Sequence, residues 1–320
     1  MSEYPGTGEL RLLGIVELSF TLEASGLLIR WGRAKEVIGA VDIIPVSLER
    51  VYKIDNAERT INVPYIPASS LKGRARSLLE TALGLPLHTT DGKVYLHMRV
   101  AKNSITDEDP YCPVDNVFGT PALDAKRLAE MGYTHLFHCW APTRALFRDL
   151  FPSTEYVRAL CENKGGCENV TLDDFLEEKS ENRVDRVTST AEPRQILRLK
   201  QGVFFDGSIS FLIYKLDICR RKECDEKTRL GDVLQNYAYP ARYYLDMLLE
   251  SLQLVERTYL GASGTRGYGQ VKFRNLKAKF IDLTGSVNNV GEPSHKDDLG
   301  AFREEVKKWD LWTALSKTCK

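Results

Sequence analysis

In LRLLGIVELSFTLE, near the start of the chain, Ile15, Glu17, Ser19 and Thr21 alternate with Val16, Leu18, Phe20 and Leu22. Alternation with a period of two over this length calls for a strand with one buried face and one open face. The next regular stretch, SSLKGRARSLLETAL, has Leu71, Ala75, Leu78, Leu79 and Ala82 at helical spacing. Ser69 or Ser70 would cap that helix, and Gly73 within it implies close packing or a close ligand. Much later, GVFFDGSISFLIYKLDI reads as a strand with a bulge or turn at Asp206-Gly207. TRLGDVLQNYAYPARYYLDMLLESLQLVE reads as a long helix kinked or broken at Pro240. ERTYL and QVKFRNLKAKFIDL then read as strands flanking a glycine-rich loop.

Strand–helix followed by strand–helix–strand predicts an α+β fold with a ferredoxin-like, RRM-related core of the split βαβ type. That core is discontinuous, covering residues 1–85 and 183–290. Residues 86–182 form a large, partly helical insertion, and 291–320 a helical tail. The run TLDDFLEEK, inside an acidic stretch, reads as a solvated surface helix.

Forty-four basic and 44 acidic residues cancel, so any anion-binding surface must come from local patterning. No apolar run is long enough for a membrane span, and the N-terminal residues do not resemble a signal peptide. A cytoplasmic protein is expected, with its seven cysteines reduced or metal-bound.

Three zones are basic. Residues 59–76 hold Arg59, Lys72, Arg74 and Arg76 without a carboxylate, and Lys72 and Arg76 share a helix face near the first turns, where an anion is favoured. Residues 183–200, with Arg194 and Arg198, carry five basic side chains against two acidic ones. Residues 257–279 carry six basic side chains and no acidic one, around the loop GASGTRGYGQ. That loop leads into a strand rather than a helix, which excludes a dinucleotide fingerprint. It is either a plain hairpin turn or a phosphate cradle built from Gly264, Arg266, Gly267 and Gly269. Three basic zones in a neutral chain point to a concentrated polyanion-binding face.

VIGAVDIIPV, PYIPASSLKGRARSLLE, NVFGT, DRVTSTAEPRQILRLKQGVFF and GTRGYGQV, in this order, resemble blocks of the RAMP superfamily of CRISPR proteins. The likeness is strongest to the repeated backbone subunit of type III-A effector complexes, and it spans most of residues 10–80 and 183–282. It implies an RNA-binding core, several copies stacked along a CRISPR guide RNA, neighbouring effector subunits, and endoribonuclease cleavage of single-stranded target RNA at one site per copy. It also implies RNA contacts from Lys72 and Arg76, with Ser69, Ser70 and Arg74 in the same block, and makes Asp42 the carboxylate required for cleavage. The chain departs from the pattern at Ala68, where glycine is usual, at Leu28, where a histidine is frequent, and in a longer stretch between Asp42 and PYIP. A non-catalytic guide scaffold and a precursor-processing nuclease are the alternatives. The second is weakened because processing enzymes of this type often use a histidine base and no histidine precedes residue 88.

A single Asp suffices chemically. It can hold Mg²⁺ or another divalent cation with its waters, or accept a proton directly. Read without the family, Asp42 is an ordinary turn residue. His135, His138, Cys139, Cys161 and Cys167, with Cys112 and His97 as substitutes, suggest a structural Zn²⁺ site in the insertion. The other reading of these residues is buried thiols and surface histidines. Cys219 and Cys224 suggest loop chemistry, and Cys319 carries no assignment.

Overall fold

The computed structural model describes residues 10–28, 45–89, 91–101, 104–120, 125–130, 132, 139, 142–220, 222–226, 228, 235–287 and 290–319. Its strands, in chain order, are β1 (Leu12–Ser25), β2 (Ser47–Ile54), β3 (Ala57–Pro64), β4 (Val100–Ala101), β5 (Ser104–Ile105), β6 (Ala145–Phe147), β7 (Phe151–Pro152), β8 (Leu176–Val184), β9 (Ala191–Leu199), β10 (Val203–Tyr214), β11 (Gln270–Asp282) and β12 (Ser294–His295). The first helix is Ala68–Ala82 and the long helix Pro240–Arg257.

The architecture is α+β with antiparallel sheets. The main sheet has the order β12-β11-β1-β10-β6, with β7 also on β10. β1 is its centre, and the alternation read from the sequence is its geometry. Val16, Leu18, Phe20 and Leu22 are buried, while Glu17 and Ser19 are exposed on the opposite face. Phe20 meets Phe273 of β11 edge-on at 5.0 Å, an arrangement that aromatic rings favour. The first helix buries Leu71, Ala75, Leu79 and Glu80, and most of the long helix is buried. No helix among the described residues is long and apolar enough to cross a membrane.

Several local expectations are corrected. β10 runs unbroken through Asp206-Gly207, which pair with Thr21 and Phe20. Gly207 is there because a Cβ would lie 2.4 Å from the Phe20 ring, not because the strand bulges. The helical run is broken at Pro240, as expected: residues 235–237 are helical, 238–239 form a bend, and the long helix begins at Pro240, since proline at the first helical position gives up no needed hydrogen bond. It runs on to Arg257, so ERTYL is not a strand. TLDDFLEEK is a 3₁₀ turn, Leu172–Phe175, leading into β8, because Phe175 is fully buried and β9 supplies a partner strand. The first helix is capped by Pro67, with Ser69 and Ser70 inside its first turn.

The 86–182 segment is not set apart from the sheet. β6 and β7 lie within it and pair with β10, and the β8–β9 hairpin straddles its expected end. The tail folds as Leu299–Lys307 and Leu311–Ser316, with Phe302, Trp309 and Trp312 buried. Arg303 and Lys307 of that tail bind Asp246 of the long helix.

Six cysteines are paired: Cys139–Cys224, Cys161–Cys167 and Cys219–Cys319. Cys112 is free and buried. The expectation of uniformly reduced or metal-bound cysteines is therefore corrected.

Candidate nucleic-acid interface

The glycine loop packs against the chain leaving β1. The Ala262 N–H donates to the Leu28 carbonyl at 3.0 Å and the Gly269 N–H to the Gly26 carbonyl at 3.1 Å. Gly269 has φ +76°, and a Cβ there would sit 2.0 Å from the Leu260 oxygen, so the turn demands glycine. A Cβ on Gly264 would enter the Tyr259 ring. The amides of Gly267 and Gly269 are bound to the carbonyls of Gly264 and Gly26, so these two do not form the expected phosphate cradle. What the loop offers instead is the exposed Arg266 on a rigid turn, Gly264–Arg266.

The β8–β9 hairpin lies alongside. Tyr268 is buried, its hydroxyl donates to Glu181, and Lys179 Nζ stands 4.1 Å from its ring centroid. Lys179 also donates to the Arg266 carbonyl at 3.4 Å. Arg198 is half-buried and paired with Glu177 at 2.7 Å, 5.4 Å from the Tyr268 ring. The second and third basic zones thus meet, but the acidic partners Glu177 and Glu181 neutralise part of them. Arg194 lies on β9 opposite Glu181.

The first helix joins this region through Arg74. Its guanidinium stacks 3.9 Å from the Tyr259 centroid, and its Nε donates to the Tyr259 carbonyl at 3.1 Å. Ser69, Lys72 and Gly73, at i, i+3 and i+4, share one helix face. Ser69 and Gly73 are exposed, and a Cβ on Gly73 would meet nothing within 4 Å. Protein packing does not explain that glycine, and the face beside Lys72 is open to a ligand. Burial, with Arg76 one turn on, lowers the pKa of Lys72.

Arg76 is a correction. Its Nε binds Glu80 at 2.7 Å, Nη1 donates to the Gly119 carbonyl at 2.8 Å, and Nη2 donates to the His97 carbonyl. These bonds fasten the helix to the 86–119 segment, so Arg76 does not pair with Lys72 on a shared phosphate. The helix start is also partly occupied, because Asp149 Oδ1 accepts the Ala68 N–H at 2.6 Å. Asp42 lies outside the described residues.

The expected zinc ligands do not assemble. His135 and His138 lie outside the described residues, and Cys139, Cys161 and Cys167 are in disulfides, which removes their thiolates. The two substitutes, His97 and Cys112, do come together, with Asp107 and Asp115 beside them. Burial opposes charge on His97, but the carboxylates of Asp107 and Asp115 and the Cys112 sulfur outweigh it and push its pKa up to about 12. The sequence reading missed both aspartates, although Cys112-Pro-Val-Asp115 at a helix start is a visible signal, since it places Cys112 and Asp115 on one turn. It also missed Lys179, Tyr259 and Tyr268, aromatic and basic groups interleaved around the glycine loop.

The family model of the RAMP superfamily matches residues 27–272. The CRISPR system Cms endoribonuclease Csm3 of Methanothermobacter thermautotrophicus is 32% identical over 235 residues, covering 73% of this chain and 77% of its own. The protein of the same name from Streptococcus thermophilus is 30% identical over 268 residues, covering 84% of this chain and 90% of its own. Among solved structures, a Csm3–Csm4 subcomplex of the type III-A interference complex covers 93% of this chain and 98% of the matched one, at 21% identity and TM-score 0.44. Methanopyrus kandleri Csm3 covers 85% and 79%, at 20% identity and TM-score 0.44. The chain belongs to the RAMP superfamily and, within it, to the Csm3 family.

Proposed function

We propose that this chain is the backbone subunit of a type III-A CRISPR effector, an endoribonuclease that holds guide RNA along its phosphates and cuts complementary target RNA. The carrying observation is 32% identity, across most of both chains, to a protein named a CRISPR endoribonuclease. In this reading copies of the chain stack along the guide beside other effector subunits. Lys72 and the first-turn serines, Ser69 and Ser70, meet phosphates on the open helix face, joined by Arg266 and by Arg194 and Arg198 of the hairpin. Asp42 is the cleaving carboxylate, and Mg²⁺ or another divalent cation held there would neutralise charge building up on the scissile phosphate. The fold is read as ferredoxin-like and RRM-related. With β1, β6–β7, β10 and β11 as its four strands and the first and long helices as its crossovers, the order becomes 4-1-3-2 with antiparallel neighbours, which supports that reading.

The test is the assembled complex, loaded with guide and given complementary RNA with and without Mg²⁺. Metal-dependent cutting of the target is expected. Guide protection without cutting would make the chain a scaffold, and trimming of precursor RNA alone would make it a processing nuclease.

Two further outcomes follow from the geometry. Purified protein should bind single-stranded RNA of any sequence, with affinity falling steeply as salt rises, because the contacts are to phosphates. Equal affinity in low and high salt would contradict this. Lys72→Ala and Arg76→Ala should behave differently. The first should weaken RNA binding and reduce the salt slope by about 1 while leaving the melting temperature unchanged. The second should leave the buried Glu80 without its cationic partner, with only the His97 N–H still donating to it, and lower stability by roughly 2–4 kcal/mol. Thermal melts and salt titrations of both variants decide it.

A further inference from the structure

We propose that Arg74 is a positioning residue: acting through the Tyr259 ring on Gly264, it sets the glycine loop, and with it Arg266, against the first helix and Lys72. The proposal rests on the RNA reading above and deepens it, since it says what holds two of the phosphate-binding elements at one spacing.

Arg74 does not belong to the open face of the first helix. Residues two apart on a helix point to different sides, so it cannot share the face of Ser69, Lys72 and Gly73. It is half-buried and turned to the chain that leaves the long helix. Its Nε donates to the Tyr259 carbonyl at 3.1 Å, and its Nη2 donates to Thr258 Oγ1 at 3.4 Å. The guanidinium carbon stands 3.9 Å from the Tyr259 ring centroid, the stacked placement that a planar cation favours. Thr258 is the residue at which the long helix ends, and the carbonyl end of a helix attracts a cation. These contacts fix the guanidinium within the protein.

Tyr259 passes the constraint to the loop. A Cβ on Gly264 would lie 2.0 Å from the Tyr259 Cγ. Gly264 opens a 3₁₀ turn and is not left-handed, so its own backbone does not call for glycine; the ring does. That turn, Gly264–Arg266, carries the exposed Arg266. The stem of the loop is fastened elsewhere. The Leu260 N–H donates to the Gly269 carbonyl at 2.8 Å, the Ala262 N–H to Leu28 at 3.0 Å and the Gly269 N–H to Gly26 at 3.1 Å. The bonds of the tip are local, from the Arg266 N–H to the Ser263 carbonyl at 2.9 Å and from the Gly267 N–H to the Gly264 carbonyl at 3.1 Å. Lys179 reaches the Arg266 carbonyl only at 3.4 Å. The tip therefore depends on the Tyr259 ring for its seat, and the ring depends on Arg74.

Lys72 and Arg266 are far apart in sequence. Two such cations grip one strand best when their spacing is set beforehand, because less ordering is then left to the binding step.

Arg74→Lys is the test. Lysine keeps the charge and serves the end of the long helix as well, but its ammonium has no planar face to lay on the ring. Full-length protein is titrated with a labelled oligouridine at several salt concentrations. Arg74→Lys should lose as much affinity as Arg74→Ala, with the salt slope down by about 1. The Arg74→Lys, Arg266→Ala double variant should bind no more weakly than Arg266→Ala, whereas Arg74→Lys with Lys72→Ala should bind more weakly than either single variant. Hydrogen exchange reads the stack without RNA. In Arg74→Lys the Arg266 and Gly267 amides should exchange faster, while those of Ala262 and Gly269 keep their protection. Should Arg74→Lys fail to fold, Gly264→Ala, which leaves every charge in place, carries the same expectations. Wild-type affinity in Arg74→Lys beside a loss in Arg74→Ala would make Arg74 a direct phosphate contact and overturn the proposal. Additive losses from Arg74→Lys and Arg266→Ala would overturn it too, and so would unchanged exchange at Arg266 and Gly267. Wild-type protein that binds no oligouridine would instead sink the RNA reading, and hydrogen exchange alone would then decide for or against the stack.

Discussion

Asp42→Asn is expected to abolish target cleavage in the assembled complex, by roughly 10²–10⁴-fold, while guide binding persists. The family block VIGAVD places this carboxylate, and no other residue of that block can take a proton or hold a divalent cation. RNA cleavage needs the attacking hydroxyl deprotonated and the developing phosphorane charge met. Asparagine keeps the size and polarity of aspartate but offers neither a base nor an anionic ligand. The guide contacts proposed above lie on the first helix, the glycine loop and the hairpin, so they should survive. Single-turnover cutting of labelled target, read beside guide retention, tests both halves. Cutting at the wild-type rate would remove Asp42 from the mechanism, and failure of the complex to assemble would make it structural. Chelator should reproduce the loss and added Mg²⁺ reverse it.

How much was legible in the sequence depended on whether the cause was local. The alternation of β1 was legible because a strand buried on one face writes that burial into every second residue. The first helix was legible too, and so was the meeting of basic zones, as charge and glycine were already clustered along the chain. Gly207 was misread because its cause, the Phe20 ring, sits on a neighbouring strand. TLDDFLEEK was misread because its charges fit a helix face, whereas burial of Phe175 and pairing with β9 decide otherwise. Arg76 carried a readable warning, Glu80 four residues on, which claims its Nε. The disulfides were not readable, since Cys139 and Cys219 find partners in distant segments at Cys224 and Cys319. The same holds for Asp107 and Asp115, which become a candidate site only when the fold brings them to His97.

The largest effect on stability is expected from Asp217→Ala. Arg144 and Asp217 are both fully buried. Arg144 Nη2 lies 2.7 Å from Asp217 Oδ1, its Nε donates to Oδ2 at 3.3 Å, and its Nη1 donates to Asn116 Oδ1 at 2.6 Å. The Tyr214 N–H donates to Asp217 Oδ2 at 3.1 Å, and the guanidinium lies 5.2 Å from the Tyr244 ring centroid. The pair thus joins the 113–118 helix, the end of β10 and the long helix. Burial pulls the pKa of Arg144 down, and the Asp217 carboxylate beside it more than offsets that, so the guanidinium is held charged. Removing the carboxylate strands a guanidinium in the core, which costs about 3–5 kcal/mol. The melting temperature should fall by roughly 4–8 °C for a chain of this size. The pair itself need not be worth that much, since its own desolvation offsets most of its attraction. Arg144→Met combined with Asp217→Leu should therefore regain a large part of the loss, and the double-mutant cycle should give a coupling above about 1 kcal/mol. RNA affinity measured well below the transition should be unchanged in both variants, because neither residue reaches the surface. A double variant no more stable than Asp217→Ala would mean that the pair supplies packing or hydrogen bonds that apolar side chains of similar size do not replace.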